Sequence, residues 1–116
     1  MTNISTTTDT VPDTVRRRQG RAALVLADLM TQDLPELAWS VARSSSSLPA
    51  LRGSRDDGGT ADRVDMVEAW ARYLSVVPTW EALAGGSGEY CAKGWHMGVR
   101  ITVGAWLLEA PGMAGA

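Results

Sequence analysis

A chain of 116 residues with 45% hydrophobic residues is long enough to bury one core without metals or disulfides, and too short for two domains. The formal charge of −2 excludes an overall attraction to nucleic acid or anionic membrane, although ten of the eleven basic residues are arginine and four cluster near the N-terminus. Cys91 stands alone, which excludes an intrachain disulfide and fits a reducing compartment.

Met1 to Thr14 is mostly Thr, Ser, Asn and Asp, a composition that buries too little apolar surface to offset its ordering entropy, so a flexible arm over 1–14 is expected. Arg16-Arg17-Arg18 followed by the apolar run Ala22 to Ala27 has the outline of a signal peptide, but Asp28 interrupts it after six residues, and a helix is the better reading. No stretch approaches the ~20 apolar residues of a membrane span, so a soluble, cytoplasmic protein without a membrane partner is expected.

From Val15 to Gln32 the spacing predicts a helix with Ala22, Val25, Leu26, Leu29 and Met30 on one side. Gly20 costs it about 1 kcal/mol against alanine, which moves the expected start toward Gly20. Leu34-Pro35 ends it, because proline disfavours helical geometry in the preceding residue. Leu37, Trp39 and Val41 then alternate with small residues, predicting a strand from Leu37 to Arg43. Ser44 to Ser47 reads as a hairpin loop, with Leu48, Leu51 and Arg52 in a weak returning strand.

After the breaker run Asp56-Asp57-Gly58-Gly59, Thr60 is placed to cap a second helix, with Asp62 near the positive end of its dipole. At about 100° per residue, Val64, Val67, Trp70, Ala71 and Leu74 share one face and Asp65, Glu68 and Arg72 the other. Val76 to Leu83 reads as a strand whose Pro78 puts it at a sheet edge or marks its start. Gly85-Gly86-Ser87-Gly88 makes a turn, and Glu89 to Trp95 and Val99 to Leu107 form a hairpin around Met97-Gly98. The fold class that follows is α+β: a small two-layer domain over 15–109, with two helices on an antiparallel sheet of four to five strands in the order α-β(β)-α-β-β-β, and a short tail over 110–116. A barrel-like closure is the main alternative.

The run Val67-Glu68-Ala69-Trp70-Ala71-Arg72-Tyr73-Leu74, the proline-marked strand after it and the hairpin segment Gly98-Val99-Arg100-Ile101-Thr102-Val103 resemble small uncharacterised proteins of high-GC actinobacteria and their phages. The resemblance covers the C-terminal half and brings no assigned catalytic residues. It implies an accessory protein of a phage or mobile element.

Glu89, Cys91 and His96 bring the only cysteine near the only histidine, which invites a nucleophile-and-base or zinc reading. On a strand, however, Glu89 and Cys91 share a face while His96 has opposite parity, so the reactive groups point apart. Three ligands without a recognised spacing do not make a zinc site. The glycine loop has a strand after it and no lysine at P-loop spacing, and Asp56-Asp57-Gly58-Gly59 lacks the EF-hand pattern. Asp62, Asp65 and Glu68 are expected on the solvent side of their helix, away from any apolar pocket that would tune them for acid catalysis. No enzyme, no cofactor and no metal are therefore expected.

The hairpin register decides which tryptophans are exposed. A two-residue Met97-Gly98 loop pairs His96 with Val99, Trp95 with Arg100, Lys93 with Thr102 and Glu89 with Trp106. Tyr90, Ala92, Val99, Ile101 and Val103 then face the core, and Glu89, Lys93, Trp95, Arg100, Thr102 and Trp106 face away. Met97 would need a positive φ, but the competing three-residue loop would set Lys93 against Ile101, a larger penalty. Trp95 and Trp106 rimmed by Arg100, Lys93 and Glu89 have the composition of an interface hot spot. The leading expectation is therefore a non-enzymatic accessory or interaction protein that binds another, unidentified protein there. The alternative is a small DNA-binding or regulatory protein using Arg16, Arg17, Arg18 and Arg21 against phosphates. Helix one, the N-terminal arm or a second copy of the chain, as a homodimer, are the other candidates to cover the tryptophans.

Overall fold

Helix α1 spans Thr10–Leu29 in the structure, a computed structural model that describes residues 10–41 and 50–112. It starts inside the stretch expected to be a flexible arm and runs through Gly20, where a Cβ would meet nothing within 4 Å. The alanine, arginine and leucine residues around that glycine carry enough helix propensity to offset it. Residues 1–9, the Ser44–Ser47 loop and the last four residues lie outside the described residues. Asp28 O takes both the amide (3.1 Å) and the hydroxyl (2.7 Å) of Thr31. The chain thus turns out of helical phase, and Met30, expected on the core face, is 71% exposed.

Strands β1 (Ala38–Val41) and β2 (Ala50–Ser54) come next, then α2 (Thr60–Leu74). Gly59, not Thr60, occupies the N-cap, and its amide donates to Asp62 Oδ2 at 3.3 Å. At the other end Ser75 adopts φ 59° and Val76 N–H returns to Ala71 O, which closes the last turn. Strand β3 (Thr79–Ala82) begins just after Pro78, and a one-turn 3-10 helix at Ala84–Gly86 leads to the hairpin of β4 (Gly88–His96) and β5 (Val99–Leu107). Gly85 and Gly86 both have positive φ, which explains the glycines of this turn.

The sheet is open, in the order β1-β2-β5-β4-β3, so it does not close into a barrel. β3 is an edge strand, and Pro78 directly precedes its first residue, so both positions open to that proline are realised. The sheet is mixed rather than antiparallel throughout: β2 and β5 pair in parallel, with Leu51 beside Ile101 and Gly53 beside Val103. α2 carries the chain from β2 over the sheet to the far edge, and β3, β4 and β5 then return by antiparallel neighbours until β5 meets β2. Local hydrophobic patterns hold no signal for that closing pair.

Both helices pack on one face of the sheet, around a core that includes Ala22, Val25, Leu29, Leu51, Met66, Val67, Trp70, Ile101 and Val103. Two expected core residues fall short of it: Val41 is 39% exposed on edge strand β1, and Val64 is half-buried because α2 turns Met66 inward instead. Trp39 meets Trp70 edge-on at 5.3 Å, Trp70 meets Tyr73 at 6.0 Å, and Tyr73 leans on His96 at 5.4 Å. Trp70 Nε1 donates to Pro35 O at 3.0 Å, so the indole is satisfied although the ring is buried.

Candidate functional site

The β4–β5 ladder has the expected register, with His96 opposite Val99, Trp95 opposite Arg100, Lys93 opposite Thr102 and Glu89 opposite Trp106. Met97 (φ 53°) and Gly98 (φ 80°) supply the two positive dihedrals of a type I′ turn. Alternation along the strands therefore sends Tyr90, Ala92 and His96 to the helices and Glu89, Cys91, Lys93 and Trp95 to the opposite face. Three side-chain contacts bear this out. Tyr90 Oη donates to Glu68 of α2 at 3.1 Å, His96 Nε2 lies 2.9 Å from Asp28 of α1, and Cys91 Sγ donates to Glu81 of β3 at 3.0 Å. Glu68, expected on the wet side of α2, is half-buried through its bond to Tyr90.

No described helix lies on the face opposite α1 and α2, and on it Trp95 is 55% and Trp106 47% exposed. Arg100 and Lys93 are exposed there as well, while Glu89 is half-buried, its carboxylate lying over Gly104, where a Cβ would sit 3.0 Å from it. The five residues expected to bind a partner thus share one face, but not one spot. Ladder positions put Trp106 and Glu89 at one end and Trp95 and Arg100 at the other.

A charged belt runs inward from the Glu89 end. Arg52 of β2 reaches over β5 to Glu89, and Lys93 Nζ reaches Glu81 of β3 at 3.2 Å. Beneath the belt Cys91 is fully buried, with Thr79 Oγ1 3.6 Å from its sulfur. Burial pushes the Cys91 thiol up, and the Glu81 carboxylate that accepts its hydrogen bond pushes the same way. The bonds from Cys91 and Lys93 in turn hold Glu81 below its ordinary range. A protonated, buried thiol held as a donor is a poor nucleophile.

Glu81, Glu89 and Cys91 bring their ligand-type atoms within 4.8 Å of one another. Each is already engaged, Glu89 by Arg52 and Glu81 by Lys93 and the thiol, so a cation bound there would have to displace two ion pairs and a proton. His96 takes no part. It sits on the other face with Asp28 and Tyr73, which separates it from Cys91 as strand parity requires. Arg52, Glu81 and Thr79 were missed in the sequence because their place beside β4 and β5 depends on strand order.

The arginines of the nucleic-acid reading lie on α1, with Arg16, Arg17 and Arg21 exposed and Arg18 half-buried. Arg21 donates to Met97 O at 2.7 Å, tying the helix to the hairpin turn. No described helix is long and apolar enough to cross a membrane. Compared with family models, curated proteins and solved structures, the chain matches none of them.

Proposed function

We propose that this is a non-enzymatic accessory protein that binds another protein through the uncovered sheet face. The observation that carries the reading is the exposure of Trp95 and Trp106 on a face that no described helix covers, beside Arg100, Lys93 and Glu89. Half-exposed tryptophans stabilise a monomer little, whereas tryptophan and arginine together dominate the energetics of protein interfaces. The paired charges of Arg52 with Glu89 and Lys93 with Glu81 suit burial under a partner, because each ion already has its counter-ion.

Capture of binding partners with the tagged wild-type chain and with the Trp95→Ala/Trp106→Ala double variant, after nuclease treatment, tests this. The expected result is a protein retained by the wild type and lost by the folded double variant. Retention by both, or retention of nucleic acid alone, would overturn the reading. The second outcome would turn attention to Arg16, Arg17 and Arg18 on α1.

A further inference from the structure

We infer that the partner seated on this face is a second copy of the chain, related by a twofold axis that lies between the two sheets and crosses their strands; this deepens the proposed function and rests on it. The argument is the self-complementarity set by the ladder registers. One end of the face carries Trp106 beside Glu81 and Glu89, whose carboxylates are held by Lys93 and Arg52, while the other carries Trp95 and the cation of Arg100. A twofold axis along the strands would lay Arg100 on the Arg100 of the other copy, like charge on like. One across the strands lays each Arg100 on the Trp106 end of the other copy, and it does so twice, as an isologous interface requires.

In that arrangement β5 faces β5 of the second copy, so Trp106 lies over the second copy's Arg100, a cation–π contact, with Glu89 beside it. Arg100 is available for this: among the described residues it has no ion pair, unlike Arg52 and Lys93. In the middle of the face the Arg52–Glu89 pair crosses over Gly104 and Thr102 of β5, above the fully buried Cys91. The assembly has its helices outside and two sheets within.

Sedimentation equilibrium of the full chain, with circular dichroism to verify folding, tests the inference. The wild type should sediment at twice its 12.4 kDa. Trp106→Ala and Arg100→Glu should each weaken self-association about tenfold or more. Glu89→Arg should do the same, and mixing folded Arg100→Glu with folded Glu89→Arg should restore a dimer, because positions 89 and 100 then face each other with opposite charge on both sides of the axis. If Glu89→Arg fails to fold, Arg100→Glu and Trp106→Ala still decide the matter. A wild type that stays monomeric, or a dimer indifferent to Trp106→Ala and Arg100→Glu, would overturn the inference. So would a folded mixture that stays monomeric. A monomer that still captures another protein through Trp95 and Trp106 leaves the proposed function standing and removes only the second copy as its partner.

Discussion

Arg21 Nη2 donates to Met97 O at 2.7 Å, across 76 residues of sequence, and so fastens the middle of α1 to the tip of the β4–β5 hairpin. His96 and Asp28 make a second link at 2.9 Å. The turn is thus held through the backbone of Met97, while its side chain is 54% exposed.

Because the turn uses Met97 only for its backbone, a residue that tolerates φ 53° should serve better there. Met97→Asn creates the Asn-Gly pair that type I′ turns prefer. It should stabilise the fold by about 1 kcal/mol, given the cost of a left-handed conformation for an ordinary side chain. A raised thermal midpoint checks this, and a lowered one would mean that the methionine side chain packs in a way its exposure does not suggest.

Trp70 is 2% exposed, closes an aromatic chain with Trp39 and Tyr73, and spends its indole N–H on Pro35 O. Trp70→Ala should cost about 3 to 5 kcal/mol in chemical denaturation. Trp95→Ala and Trp106→Ala, with rings half in solvent, should each stay within about 1 kcal/mol of wild type. Equal losses at all three positions would place the exposed tryptophans in the core and remove the basis of the proposed interface.

Gly53 lies beneath Trp39: a Cβ there would come within 2.9 Å of the ring and 2.7 Å of Leu37 Cδ1. The leucine tip can rotate away, but the ring is held by Trp70. Gly53→Ala should therefore destabilise by about 1 to 3 kcal/mol, as overpacking does, whereas Gly20→Ala on the open side of α1 should stabilise slightly. Paired melting curves of the two variants separate the cases.

The titrating groups give a direction for pH dependence. Cys91, Tyr73 and Tyr90 are all raised, chiefly by burial, so each binds its proton more tightly folded than unfolded. Their contribution to stability is present below the ordinary thiol value of 9.0 and is lost as pH climbs through the raised values. Glu81, lowered by its bonds to Cys91 and Lys93, acts oppositely: its contribution is present above 4.5 and is lost as pH falls through the lowered value. Denaturation midpoints should therefore fall on both sides of neutrality. Cys91 should also resist iodoacetamide at neutral pH until the chain is unfolded, and rapid labelling of the folded protein would contradict the buried, protonated thiol.

The hairpin was legible in the sequence because parity and charge leave one register that keeps Lys93 out of the core, and Met97 bears the resulting strain. The order of elements was legible for a similar reason, since Pro35, Pro78 and the glycine runs punctuate the chain where its periods change. The parallel β2–β5 pair was not, and with it went Arg52 as the partner of Glu89; Glu81 as the acceptor for Cys91 needed the register of β3 on β4. Those contacts depend on which strands become neighbours, a property of the folded chain as a whole. The rotation of α2 that favours Met66 over Val64 is likewise set by what lies opposite, as is the half-burial of Glu68 under Tyr90.

The parallel seam should also divide the molecule into units of unequal cooperativity. Among the described residues β1 has β2 as its sole neighbour in the sheet, and β2 meets the rest of the sheet through one short ladder from Ala50 beside Arg100 to Ser54 beside Gly104. That ladder joins segments far apart along the chain, so its loop-closure entropy makes it slow to form, whereas the β4–β5 hairpin closes over two residues. Folding should begin with the hairpin and α2, and α1, β1 and β2 should dock onto it afterwards. In native-state hydrogen exchange the amides of β1 and β2 should then open together and ahead of those in β4 and β5, with Arg21 and Asp28 setting how far α1 follows.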